Sequence, residues 1–415
     1  MSDEILVGID LGTNMIRVAV GKTDESAPGS LRILACVEEP SEGISKGSIV
    51  GIENAISSVS RALEAAERMA GAPLERAWIG ITEPHIISET SRGVVGVSRS
   101  DGEIHSEDLD RAVEASKTVR APSNYQILHV LPKAFTVDGQ TGIKDPIGMT
   151  GIRLEVEANI IQALSASLKN VSKCIYRTGV EINDIIVGVL ASALAVLNQR
   201  QKELGVVLIN IGGATTSMVV MEEGEVLHLA VIPIGSEHIT NDLAIGLRTS
   251  IDVADRVKRE IGNAVPDSVS KRDEIDLAEY GSLTSEIVSK RFVADVIQAR
   301  VQEIFEKVVN ELKKIRRDGM LPAGAVLTGG GSKLAGIVEA AKTELRLPAA
   351  IGETHGIVSA TDTATDPSFS TAIGLLKWGL EMSGDGGENR SMFSGVKKVG
   401  KMFGGIGKWF KGLMP

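Results

Sequence analysis

Short apolar runs broken by glycine alternate along the chain with longer segments of helical period. The opening residues divide into ILVGID, LGTN and MIRVAVG, a strand, a glycine turn and a second strand. Residues 52–70 (IENAISSVSRALEAAERMA) carry apolar positions at helical spacing and stop at Gly71-Ala72-Pro73. A strand follows at Ala77–Ile81. Residues 84–160 form a separate block. It predicts a strand near Ile86–Val97, a helix capped by Ser106, and strand-like stretches at Tyr125–Val137 and Gly151–Ile161. Helix and strand recur at Ser165–Thr178 and Asp184–Val187, and LASALAVLNQRQKEL reads as one helix. A second strand–turn–strand then begins at Val206 with VVLIN, IGGATT and SMVVME, followed by the strand EVLHLAVIPIG. Residues 238–263 and 292–317 predict long helices separated by a polar, irregular stretch. AGAVLTGGGSKL is a buried strand and turn, with helices at Leu334–Glu344 and Ser370–Glu381 after it. Residues 383–392 (SGDGGENRSM) have the composition of a linker.

The two strand–turn–strand units match at a separation of 200 residues. GIDLGTNMIRVAV (8–20) aligns with LINIGGATTSMVV (208–220), so Asp10 corresponds to Asn210 and Gly12 to Gly212. The repeat predicts a duplicated α/β fold with a cleft between two lobes, as a chain of 415 residues also suggests. Backbone N–H groups of a glycine turn converge on one point and suit phosphate oxygens. The candidate phosphate-binding turns are therefore the first, at Asp10 and Gly12, and the second, at Asn210 and Gly212. The third turn, Gly329, Gly330 and Gly331, suits the α-phosphate and sugar side in the same way.

Charge changes the picture at the C-terminal end. Net charge is −10, which argues against nucleic acid as a principal partner. Residues 391–415 hold Lys397, Lys398, Lys401, Lys408 and Lys411 and no acid, which leaves −15 on the remainder. On a helical wheel Val396, Val399, Phe403, Ile406, Phe410 and Leu413 share an arc of about 100°, and the lysines a separate arc of about 140°. Phe393 and Trp409 make the segment aromatic-rich. This pattern predicts an amphipathic helix in the plane of an anionic membrane, interrupted by Gly400, Gly404, Gly405, Gly407 and Gly412 and so folding only on lipid. No run approaches the ~20 apolar residues of a spanning helix. Cys36 and Cys174 read as two buried thiols in a reducing compartment. The histidines show no metal-ligand spacing, and no signal peptide precedes the first strand; the expected location is cytoplasmic.

The three turns resemble those of the actin, sugar-kinase and chaperone ATPase superfamily. Position by position, the match implies phosphate-loop roles for Thr13, Asn14, Gly213, Thr215 and Thr216 and a nucleoside-side role for Ser332. It also implies water-mediated Mg²⁺ contact for Asp10, the one carboxylate at the phosphate end. PIGMTGIRLEVEANII (146–161), VGVLASALAVL (187–197), GSEHITNDLAIGLRTSIDVADRVKRE (235–260), FSTAIGLLKWG (369–379) and the terminal GKWFKGLMP resemble the FtsA family within that superfamily. The resemblance implies an α/β, actin-like (duplicated ribonuclease-H-like) two-lobe ATPase fold. Residues 1–83, 161–200 and 360–382 would form subdomain 1A and residues 84–160 an inserted α+β subdomain, 1C. Residues 201–237 with 319–359 would form 2A, and 238–318 would form 2B. A linker at 383–392 and a membrane-targeting helix at 393–415 would follow. It also implies ATP and Mg²⁺ between the lobes, self-assembly into filaments, anionic membrane lipid as a partner, and the C-terminal peptide of the ring protein FtsZ docked on 238–318. Later division proteins would be recruited at the septum, in part through 84–160. Lys258 lies on the helix that borders the adenine in that family. Two positions depart from the superfamily pattern, Asn210 and Ser217, each where a carboxylate is usual; they predict nucleotide binding with weak or no hydrolysis. Competing readings are an FtsA-like pilus-assembly adaptor, and a sugar kinase or chaperone-type ATPase. The kinase would need a catalytic base near the second turn, and the chaperone a long substrate-binding region.

Overall fold

The computed structural model describes residues 5–24, 30–98, 101–118 and 122–383. The readings that concern residues 384–415, the linker and the lysine-rich helix, lie outside these.

The first lobe is built on strands β1 (Leu6–Leu11), β2 (Met15–Thr23), β3 (Leu31–Pro40) and β4 (Arg76–Ile81), with helix α1 (Ile52–Ala70) between the last two. Next comes an inserted unit of β5 (Ile87–Gly96), α2 (Ser106–Ser116), β6 (Tyr125–Val137), β7 (Gln140–Ile143) and β8 (Arg153–Leu164). Helix α3 (Ser165–Tyr176) and strand β9 (Glu181–Val187) return to the first sheet, whose order is β9-β4-β1-β2-β3, with the short strand Ile357–Val358 on the β3 edge. Helices α4 (Gly188–Val196) and α5 (Gln199–Leu204) lead into the second lobe. Its strands are β10 (Val206–Ile211), β11 (Thr216–Glu222), β12 (Glu225–Ile232), β13 (Ala325–Thr328) and β14 (Ala349–Ile351), ordered β12-β11-β10-β13-β14. Helices α6 (Ser236–Gly246), α7 (Ile251–Ile261), α8 (Lys290–Lys314) and α9 (Ile337–Leu345) belong to this lobe, and α10 (Ser370–Ser383) returns to the first.

The 200-residue repeat holds at the level of register. In the first hairpin Gly8 faces Ala19 and Asp10 faces Arg17; in the second Leu208 faces Val219 and Asn210 faces Ser217. In each lobe the leading strand also runs parallel to a later one, β4 or β13. β1 and β10 share one burial pattern, buried throughout except at Asp10 and Asn210. Apolar runs of this kind need cover on both faces. Helices α4 and α10 supply it between the lobes: all nine residues of α4 are buried, and it packs on α10, β10 and β11.

Two predicted helices are each divided. The segment 190–204 breaks at Leu197, which is extended, because Asn198 caps a new helix with its side chain accepting from Gln201 N at 2.9 Å. The segment 238–263 breaks where Arg248 adopts φ +52 and Ser250 caps α7 by accepting from Val253 N. The cap of α2 is His105 rather than Ser106, with Asp108 accepting its backbone N–H at 3.0 Å. The polar stretch between α7 and α8 is also more ordered than its composition predicts, since Glu274–Asp276 pairs antiparallel with Ile287–Ser289. Cys174 is buried, Cys36 only partly so, and both are free; burial pushes their thiols up to about 11 and about 12.

The inserted unit has its own sheet, ordered β5-β8-β6-β7, and its own core of Ile104, Val113, Phe135, Leu154, Val156 and Ile160 under α2. Its two long strands run on into the first lobe, where Leu128, Leu131, Ile161 and Ala163 join the main core. There His129 is buried against Trp378, with Nε2 accepting the Val187 N–H at 3.3 Å, and burial pushes its pKa down to about 4. The unit also touches the second lobe: Asn159 Nδ2 donates to Val226 O, and Lys144 Nζ to Glu223 O.

Candidate functional site

The two hairpin turns face each other across a cavity of about 760 Å³. Asp10, Gly12, Thr13 and Asn14 line it from one lobe; Asn210, Gly212, Gly213, Thr215, Lys258 and Gly329–Gly331 line it from the other. Two predicted residues point elsewhere. The Thr216 hydroxyl is buried and donates to Ile234 O at 2.8 Å, and the Ser332 hydroxyl donates to Gly329 O at 2.7 Å. These two hydroxyls hold the shape of their turns.

The turns touch. A Cβ added at Gly213 would stand 2.2 Å from Asn14 Oδ1, so glycine there leaves room for the Asn14 side chain to reach the second turn. Thr13 Oγ1 accepts the Gly47 N–H at 3.1 Å, tying the first turn to the segment before α1. The third turn is placed by Gly329, whose φ of +83 a side chain would resist and whose own Cβ would meet Asn210 Oδ1 at 2.2 Å. Lys333 and Asp366 close its outer side at 2.6 Å. Burial disfavours the Asp366 carboxylate, but the Lys333 ammonium and two Ser368 donors more than offset that and hold its pKa below the usual range.

Asp10 and Asn210 occupy equivalent places and do different things. Burial pushes Asp10 up to about 6, against the pull of the Arg17 guanidinium. Such a carboxylate favours any cation brought to it. Three other cavity-lining acids are already paired: Glu38 lies 3.3 Å from Arg17, Asp255 lies 2.7 Å from both Lys258 and Arg259, and Asp366 is held by Lys333. Among the described residues no cluster of three His, Cys, Asp or Glu could cage a metal. The donor set would suit a hydrated Mg²⁺, with Asp10 as the residue that would hold it.

Asn210 instead uses its amide as a donor. Nδ2 donates to Ser192 Oγ at 3.0 Å and to Thr371 Oγ1 at 3.2 Å, joining β10 to α4 and α10 across the lobes. A carboxylate cannot make these bonds as a donor. The neutral residue at this position is therefore part of how the lobes are joined. Lys258 is partly spent as well, since its ammonium donates to Thr240 Oγ1 at 2.6 Å beside Asp255.

Sequence reasoning missed Arg17, Ser192 and Thr371. Arg17 was legible in principle, because the repeat that pairs position 10 with 210 also pairs 17 with 217. Ser192 was the one polar residue in the apolar helix Gly188–Val196, a signal that only a partner across the lobes makes meaningful.

Comparison with known proteins gives this geometry its context. A family model described as "Cell division protein FtsA" matches residues 207–374, and one described as "SHS2 domain inserted in FTSA" matches residues 84–162. The Cell division protein FtsA of Pseudomonas aeruginosa is 36% identical over 385 residues, covering 93% of this chain and 91% of that one. That of Bacillus subtilis is 38% identical over 377 residues, covering 91% and 84%. The chain belongs to the FtsA family.

Solved structures agree on the fold. The PilM–PilN type IV pilus biogenesis complex superimposes with a TM-score of 0.66 at 14% identity, covering 91% of this chain and 99% of that one. MreB5 of Spiroplasma citri bound to ADP gives 0.56 at 14% identity, covering 92% and 97%. The fold is thus the actin-like two-lobe ATPase fold with an SHS2 unit inserted in the first lobe, as FtsA-family membership implies. Among the described residues no helix is long and apolar enough to cross a membrane.

Proposed function

We propose that this FtsA-family chain is an ATP-dependent cell-division adaptor that binds Mg·ATP in the interlobe cavity and hydrolyses it slowly or not at all. The observation that carries the reading is the cavity itself, with twin glycine turns from the two lobes meeting at Asn14 and Gly213 and a third turn closing the side. The loop glycines and their backbone amides bind the phosphates. Asp10 would hold a hydrated Mg²⁺, whose chemistry there would be to neutralise phosphate charge. Lys258 and the Gly329–Gly331 turn border the nucleoside. Slow hydrolysis follows from Asn210 and Ser217, because neither supplies the second negative group that would position a metal ion or an attacking water.

In this account the subdomain division 1A, 1C, 2A and 2B holds, with boundaries near 84–160 and 238–318. The nucleotide-bound chain polymerises on the cytoplasmic face of the inner membrane, held there by residues 393–415. It tethers FtsZ filaments at the septum and helps recruit later division proteins. Support for an FtsZ surface on 238–318 is the company of exposed apolar and basic groups there. Ile245, Ile251, Leu283, Ile287 and Phe292 are exposed. Arg291 and Arg300 are held by Asp267 and Asp242, whereas Arg248, Arg256 and Lys290 have no ion pair among the described residues. Sedimentation of the full chain with anionic vesicles, with and without Mg·ATP and an FtsZ C-terminal peptide, tests the reading. Nucleotide-enhanced sedimentation that carries the peptide is expected. Sedimentation indifferent to nucleotide, or a peptide left in the supernatant, refutes it.

A further inference from the structure

Among the residues lining the cavity, two hold a buried side-chain polar atom with no hydrogen-bond partner among the described residues: Arg17 at Nε and Ser217 at Oγ. They are not random positions. Each lies directly across its hairpin from the loop residue that leads the turn, Arg17 opposite Asp10 and Ser217 opposite Asn210, 200 residues apart. Buried polar groups left unpaired are uncommon and costly, and two at pseudo-equivalent places in one cavity ask for a shared partner.

The surroundings define that partner's chemistry. The Arg17 guanidinium lies 3.3 Å from Glu38 and 5.7 Å from the centre of the Phe369 ring, which fixes its plane while leaving Nε uncommitted. Ser217 is 1% exposed, and its strand neighbour Asn210 spends its amide on Ser192 and Thr371 rather than on this hydroxyl. A cationic N–H from one lobe and a hydroxyl from the other suit an oxyanion set between the lobes.

We propose that Arg17 and Ser217 together clasp the terminal phosphate of a bound nucleoside triphosphate, one from each lobe. The inference rests on the nucleotide reading above and adds to it a device that tells triphosphate from diphosphate. A diphosphate fills the glycine turns but leaves this pair unbridged. The triphosphate therefore draws the two lobes together at positions 17 and 217, beside the contact of Asn14 with Gly213. Because neither residue is a carboxylate, the clasp holds the terminal phosphate without activating water.

The test is titration calorimetry of the full chain with ATP and with ADP, each with Mg²⁺, for the parent, Ser217→Ala, Arg17→Gln and the double variant. Ser217→Ala should weaken ATP roughly tenfold and ADP less than about twofold, the size of one hydrogen bond to a charged group. It should also leave the nucleotide-free protein as heat-stable as the parent or more so, since it removes an unpaired buried hydroxyl; a merely structural serine would do the reverse. Arg17→Gln should weaken ATP by about 30-fold or more, and the double variant by less than the product of the two. Should Arg17→Gln not fold, Ser217→Ala and Arg17→Lys decide the matter. Equal weakening of ATP and ADP, or no change in Ser217→Ala, overturns the clasp. A parent chain that binds neither nucleotide overturns instead the nucleotide reading beneath it.

Discussion

At the turn of the first lobe the cross-strand pair facing the cavity is Asp10 with Arg17; at the turn of the second it is Asn210 with Ser217. Backbone register, sheet order and the burial of the leading strand are the same in both hairpins. The difference is chemical and confined to side chains. The first turn keeps a charged pair, in which Asp10 resists ionisation through burial and Arg17 favours it. The second turn is neutral, and its amide is committed to Ser192 and Thr371 on the helices between the lobes. A duplicated backbone thus separates two tasks: on the proposed reading the first lobe would supply charge for a metal–phosphate group, while the second supplies the joint on which the lobes meet.

Removing the charge should cost the most. Asp10→Ala is expected to weaken Mg·ATP binding by about 2–3 kcal/mol, roughly 30- to 150-fold, while Asn210→Ala changes affinity only a fewfold. Calorimetry on both variants checks this, and equal losses would erase the distinction between the lobes. Making the turns alike is the next test. Asn210→Asp removes two donated hydrogen bonds and places a second carboxylate in the cavity. Thermal or denaturant unfolding of the nucleotide-free protein should show a loss of about 1–3 kcal/mol, and steady-state phosphate release should rise. Unchanged turnover would mean that the neutral turn is not what limits hydrolysis.

A smaller effect is expected where the turns touch. Gly213→Ala meets Asn14 Oδ1 and should weaken nucleotide binding by about 1–2 kcal/mol. Because the obstacle is the far end of one side chain, Asn14→Ser in the same chain should restore most of the loss; failure to do so would place the damage in the backbone. The smallest effect is the response to pH. Asp10 ionises near 6 in the folded protein against an ordinary 3.8. Mg²⁺-dependent binding should fall as pH drops through about 6, by up to about tenfold per unit. With its folded pKa raised, Asp10 lends the nucleotide-free protein stability that is present below about 4 and lost as pH rises to about 6. Asp10→Asn should flatten both trends in binding and melting curves.

How far these features were legible in the sequence differs between backbone and site. The hairpins were, because buried strands and glycine turns leave a local signature and the repeat made it visible twice. The inserted block was legible at Tyr125–Val137, although His129 gives no sign of its burial against Trp378. Helix breaks at Asn198 and Ser250 were not, since apolar period alone runs through a cap whose side chain replaces the missing turn. At the site, glycines and Asp10 announced themselves. Arg17 and Ser192 did not, because what each does depends on a partner brought from the other sheet or another helix. Thr216 and Ser332 show the opposite: a hydroxyl inside a phosphate-type motif can be spent entirely on holding the turn.

Hydrogen–deuterium exchange of the full chain with and without Mg·ATP tests most directly whether a nucleotide sits between the paired turns. The account predicts slowed exchange in peptides spanning 8–17, 208–217 and 328–334, with little change in α2 or in β5 and β8 of the inserted unit away from the lobes. Saturating nucleotide that leaves all three turns unprotected, or protection concentrated in the inserted unit instead, would contradict it.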